Sequence, residues 1–294
     1  MNVSEKIYTM NIGSSKLIHA LDQIFETLPD HILGGRAASI YGYAHFNNNN
    51  VLIDNIESFI SDYDFYTTPD KAPLNKRKKR AYQQTIERGD NPPFQIIYKN
   101  PAAEKLVPIK DYFQFYLDPY VSLTTNIYKN WSSSPHDILN TYDLNAAQAL
   151  ISTSSYGYVI QYTNNFYDFC QDETLSFTKR QKAWFHMLNK LIQDYAVAKS
   201  ENHQLALAHI KDLATHLLIV MNRFMKYAET HPVCSIDNLD HDSMNIAQFT
   251  LKNIVKYNIY PTTEKDLTHL AVSGSNMTYR EVPMKMMYFF DAKA

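Results

Sequence analysis

The sequence predicts an α+β fold, with a mixed sheet flanked by helices across residues 1–170 and a mainly helical domain across residues 171–294. Three observations carry this expectation. Runs with strand character, alternating or rich in aromatic and β-branched residues, end at Tyr162. Beyond Phe177 the apolar residues recur at helical spacing instead. The chain has 294 residues with 22 Tyr and 15 Phe against only 7 Gly, which is enough aromatic surface for two cores of ordinary size.

Taken in order, Leu17, Ile18, Leu21, Ile24, Phe25 and Leu28 predict an amphipathic helix over residues 15–28, with Ser14 and Ser15 as caps. After Pro29, HILGGRAASIYGYAHF reads as a short apolar approach, a turn at Gly34-Gly35, and a helix that ends in a loop at the asparagine tract 47–50. FISDYDFYT then alternates. Ile60, Asp62, Asp64 and Tyr66 share one strand face, while Phe59, Ser61, Tyr63 and Phe65 take the other. Further strands are expected at 94–98, 112–116, 121–128, 147–153 and 156–162, the last two joined across Ser154 and Ser155. Ser134, Pro135 and Asp137 open a short helix ending near Asn140, with proline in the first turn, where its missing N–H is no loss. NNFYDFCQDETL reads as the acidic polar boundary between the two domains. Past it, Trp184, Met187, Leu188, Leu191, Ile192 and Tyr195 form one helical stripe, with further helices over 205–227 and 246–257.

Composition narrows the function classes. The 28 Lys plus Arg nearly balance 30 Asp plus Glu, for a formal charge of −2, so a polyanionic partner has to be held by a local patch. Two cysteines, Cys170 and Cys234, supply neither a disulfide framework nor a Cys-rich zinc site, and the start MNVSEKIY lacks a signal-peptide core. No apolar run approaches the roughly 20 residues that span a bilayer. These features predict a cytoplasmic protein with no membrane partner.

The chemistry concentrates in Gly34-Gly35 at the mouth of a helix and Asp62-Tyr63-Asp64 on a strand. Carboxylates at i and i+2 point to one face, and like charges so close repel unless a proton or a divalent cation lies between them. Hard oxygen donors select Mg²⁺ or Mn²⁺. Adjacent glycines let a bulky group approach the backbone, and the amides that open the following helix suit a phosphate. Metal and phosphate sites in one pocket are the equipment for in-line displacement at phosphorus.

LGGRAAS followed by SDYDFY resembles the glycine-opened helix and Asp-x-Asp strand of the polymerase-β-like nucleotidyltransferase superfamily. The likeness covers roughly residues 30–165, and VSLTTNIYKNWSSSPHDILNTYDLNAAQALI is similar to a segment of nucleotidyltransferase-like proteins of large viruses and phages. The resemblance implies a nucleotidyltransferase-type sheet and a reaction that moves a nucleoside monophosphate from a nucleoside triphosphate to an acceptor hydroxyl, releasing pyrophosphate. It places metal on Asp62, Asp64 and a third carboxylate, Asp143 in TYDLN, with Asp118 in FYLDPY as the alternative. Asp143 would also help to deprotonate the attacking hydroxyl. Gly34, Gly35, Arg36 and Ser39 would bind the nucleotide. The family often has serine after its glycine, whereas here Gly35 is followed by Arg36, a phosphate contact in its place, and Ser39 lies one turn further on.

Five consecutive cations, Lys76, Arg77, Lys78, Lys79 and Arg80, form the one dense basic patch, which either tracks an RNA backbone beside Tyr82 or makes a solvated loop. An RNA or tRNA 3′ end is the expected acceptor. An inactive binding module of the same fold and an enzyme modifying a protein hydroxyl are the alternatives. His203, His209 and His216 share a helix at intervals of six and seven, which does not make the close ligand pair of a zinc site.

Overall fold

A computed structural model of the chain describes residues 5–25, 31–60, 62–66, 95–99, 112–116, 124–128, 134–197, 203–260 and 281–293. It divides into two compact units, one formed by Met1–Tyr142 with Ala146–Gln171 and the other by Asp143–Asn145 with Asp172–Ala294.

The first unit is built on an eight-stranded sheet in the order β1-β8-β7-β2-β3-β6-β5-β4. Its strands are β1 (Ile7–Asn11), β2 (Ile32–Gly34), β3 (Asp62–Tyr66), β4 (Gln95–Lys99), β5 (Tyr112–Tyr116), β6 (Thr124–Tyr128), β7 (Ala149–Ser154) and β8 (Gly157–Thr163). The sheet is mixed, because β3 and β6 run parallel while every other neighbouring pair is antiparallel. Helices α1 (Ser15–Phe25), α2 (Gly35–Asn47), α3 (Asn50–Asp54), α4 (Pro135–Thr141) and α5 (Asn164–Asp172) complete the unit. The fold class is therefore α+β.

Strand alternation decides what each face of the sheet meets. Phe65, Leu33, Ile151 and Ile160 lie in register across β3, β2, β7 and β8, and all four are buried. Phe25 of α1 meets Phe65 edge-on at 5.5 Å, and the buried Gly42 of α2 sits against Ile160, so both helices cover this face. Ile138 and Leu139 of α4 pack with Leu150, Ile32, Tyr66 and Tyr142 on the other. Asp64 shares strand parity with Tyr66 and so belongs to the α4 side.

The asparagine tract resolves into two caps. Asn48 takes the left-handed conformation with φ 47° and donates its N–H to Ala44 O, closing α2. Asn49 then caps α3 by accepting Leu52 N–H at 2.9 Å, so the expected loop is a helix-to-helix junction. NNFYDFCQDETL holds the division between the two units, at Gln171 and Asp172, and its residues 164–172 form α5. Phe166, Phe169 and Cys170 recur at i, i+3 and i+4 and are buried, while the polar residues take the remaining faces.

The second unit contains α6 (Lys179–Val197), α7 (His203–Thr230), α8 (His241–Lys256) and α9 (Glu281–Lys293). Phe177 meets Phe185 at 4.9 Å and Phe224 at 4.6 Å with the rings tilted, and Phe224 reaches Phe290 at 6.0 Å, so one aromatic column links three helices. A buried polar ladder accompanies it: Asn189 donates to Thr250 Oγ1 at 2.8 Å, and Asn253 donates to Asn189 Oδ1 at 2.9 Å. Asp240 caps α8 through Ser243 N–H at 2.9 Å and pairs with Lys182 at 2.6 Å. No helix among the described residues is long and apolar enough to cross a membrane.

Candidate functional site

Antiparallel pairing of β2 with β3 places Gly34 directly opposite Asp64. The chain then turns from β2 into α2 at Gly35, whose φ of 63° lies in the left-handed region that glycine adopts without strain. A Cβ on Gly35 would come within 2.6 Å of Asp64 Oδ2, and one on Gly34 would collide with Tyr142 Oη and come within 2.6 Å of the Tyr66 ring. Each glycine thus admits a particular side chain to the mouth of α2, the carboxylate at Gly35 and two phenols at Gly34.

Three polar groups meet here. The Gly35 N–H donates to Tyr142 Oη at 2.9 Å, and Tyr142 Oη donates to Tyr66 Oη at 3.2 Å. Burial pushes the Tyr142 hydroxyl well above the ordinary phenol range, reinforced by Tyr66 and by the negative charge of Asp64, with the Gly35 amide opposing the shift. Tyr142 is therefore a neutral phenol at any physiological pH.

Asp62 sits two residues before Asp64 on β3 and pairs with Thr124 of β6, while Asp64 pairs with Asn126. Asn126 pairs in turn with Gln114 of β5, so Gly34, Asp64, Asn126 and Gln114 hold one register position across four strands. Tyr142 was not expected from the sequence. Nothing local points to Tyr142, which lies 107 positions from Gly35.

Arg36 is half-buried in the first turn of α2, and Ser39 is enclosed in the core at 0 % exposure. Asp118 and the run Lys76, Arg77, Lys78, Lys79 and Arg80 lie outside the described residues. Asp143 belongs to the helical unit. Its carbonyl accepts Thr178 N–H at 2.9 Å, and neighbouring Asn145 exchanges hydrogen bonds with Ser176, which ties this short stretch to the segment leading into α6. The buried Asp143 carboxylate accepts from Gln181 Nε2 at 2.7 Å and pairs with Arg223 through its other oxygen. Both oxygens are thus engaged within that unit. Among the described residues no group of three His, Cys, Asp or Glu side chains is arranged to hold a metal.

His216 lies beside this second cluster, its ring 4.9 Å from Trp184, whose other contacts include the Arg180 guanidinium at 5.1 Å. Its Nε2 is buried without a hydrogen-bond partner among the described residues. Burial lowers its pKa, Arg223 and Arg180 act in the same direction, and Asp143 opposes them. An unfolded histidine titrates near 6.5, so between that value and the lower folded one the unfolded chain binds the extra proton. Stability is full above about pH 6.5 and is lost as pH falls through the folded value. Urea midpoints measured from pH 7.5 down to 5.5 should fall for the native chain and fall less steeply for His216→Phe; equal slopes would contradict this. His45, also lowered by burial, leaves a residual slope in both proteins.

Neither a protein-family profile nor a curated protein matches this sequence.

Proposed function

We propose that the sheet unit is a metal-dependent nucleotidyltransferase, moving a nucleoside monophosphate from a nucleoside triphosphate to an acceptor hydroxyl with release of pyrophosphate. The single observation that carries this reading is the position of the Asp64 carboxylate, brought to the amide end of α2 at a point where only glycine leaves room for it. Such a cradle, with hard carboxylate oxygens beside helix-opening amides, fits Mg²⁺ or Mn²⁺ together with a polyphosphate. Asp62 and Asp64 would hold the metal, which supplies charge neutralisation at the phosphoryl oxygens. The Gly35 amide and the Arg36 guanidinium would orient the phosphates, and that positioning lowers the barrier by holding the acceptor in line. Since Asp143 is engaged by Arg223 and Gln181, we assign the third carboxylate, which takes the acceptor proton, to Asp118. The basic run Lys76–Arg80 favours an RNA 3′ end as acceptor.

A second reading, an inactive binding module of the same fold, is favoured by that same engagement of Asp143. One experiment separates the two. The chain is incubated with Mg²⁺ or Mn²⁺, each α-labelled triphosphate and RNA. Incorporation is expected, with a loss of about a hundredfold or more in the Asp62→Ala/Asp64→Ala double variant, checked for folding by circular dichroism. Triphosphate binding without incorporation under any condition selects the binding module. Absence of both overturns the site.

A further inference from the structure

The first amide of an α-helix has no carbonyl within the helix to accept it. At α2 the residue before the helix is Gly34, which has no side chain to serve as a cap. The amide of Gly35 is satisfied instead by Tyr142, a residue just beyond α4, whose hydroxyl fits only because Gly34 lacks a Cβ. An amide N–H has one hydrogen to give, so the phenol occupies the place that a phosphate oxygen would need.

We propose that Tyr142 is an internal stopper of this cradle: its hydroxyl holds the Gly35 amide in the ligand-free protein and is displaced when the polyphosphate of a nucleotide binds. This rests on the reading of the cradle as a phosphate site. A neutral phenol oxygen is a modest acceptor, whereas a phosphate oxygen makes a charge-assisted bond roughly twice as strong and is further favoured by the positive end of the helix. The exchange therefore runs toward the ligand. It also sets a threshold, because a weakly charged ligand gains too little to remove the phenol. Tyr66 Oη, 3.2 Å away, is the partner that Tyr142 leaves on displacement.

Tripolyphosphate with Mg²⁺ is the probe, and two measurements test the proposal. In the native chain, nitration of tyrosines by tetranitromethane with peptide mapping should rise about threefold or more at Tyr142 on saturation, while Tyr156, 89 % exposed on the β7–β8 turn, stays unchanged as the reference. By calorimetry, Tyr142→Phe, which keeps the ring and removes the competing oxygen, should bind tripolyphosphate about three- to tenfold more tightly than the native chain. Binding with no change in Tyr142 nitration, or with equal or weaker affinity in Tyr142→Phe, overturns the stopper and leaves the cradle standing. No binding by either folded protein overturns the cradle and the stopper with it. Should Tyr142→Phe fail to fold, the nitration result on the native chain decides alone.

Discussion

Replacing Phe177 by alanine is expected to destabilise the helical unit by about 3–5 kcal/mol, the usual consequence of removing a fully enclosed aromatic ring. Phe177 is 2 % exposed and lies between Phe185 of α6 and Phe224 of α7. Its own N–H donates to Ser243 Oγ of α8 at 2.9 Å, so the backbone is held in place and cannot slide inward to fill the void. Partial collapse is what normally softens such a substitution. Here Phe185 of α6 and Phe224 of α7 flank the ring, and a collapse toward one opens a gap at the other. Urea unfolding followed by tryptophan fluorescence, with Trp131→Phe leaving Trp184 as the reporter, reads the change. Met187→Ala on the exposed side of α6 is the comparison, expected to stay within about 0.5 kcal/mol. A loss below about 1 kcal/mol for Phe177→Ala would mean that the column is not the centre of that core.

Elements whose order depends on local periodicity were legible in the sequence. The stripe Leu17, Leu21, Ile24 and Phe25 predicts α1 because those side chains are the buried ones, and β5 spans the expected 112–116. Strand β2 is three residues long, too short to show a period, and exists because β3 and β7 flank it. Strand β1 pairs only with β8 at the sheet edge and is half-exposed, so it carries no alternation to read. Helix α5 was obscured by its acids: charge marked the boundary that the segment does hold, and hid the i, i+3, i+4 spacing of Phe166, Phe169 and Cys170 that indicates a packed face. For the site, the glycine pair and Asp64 were legible as a motif, whereas the register that sets Gly34 against Asp64 depends on strand pairing that no local pattern encodes. Asp143 shows the limit most plainly. Its engagement depends on Arg223, 80 positions away, so the ion pair that ties this short segment into the helical unit has no local signal.

Gly35→Ala should lose both stability and ligand binding, and the two losses have separable causes. Alanine at φ 63° costs about 1–2 kcal/mol of backbone strain. The new methyl would also stand 2.6 Å from Asp64 Oδ2, so the carboxylate has to withdraw from the mouth of α2. Gly157 supplies the control, since its φ of 110° is also unsuited to alanine while nothing lies within 4 Å of the position a Cβ would take. Gly157→Ala should therefore lose stability through strain alone and bind tripolyphosphate with Mg²⁺ as the native chain does. Gly35→Ala, once compared with it at matched folded fraction, should bind about tenfold or more weakly, because the anion meets a methyl and a displaced carboxylate where it met an amide and a metal-competent oxygen. Equal binding by the two variants would show that Gly35 serves only the turn and that the approach of Asp64 has no part in holding the ligand.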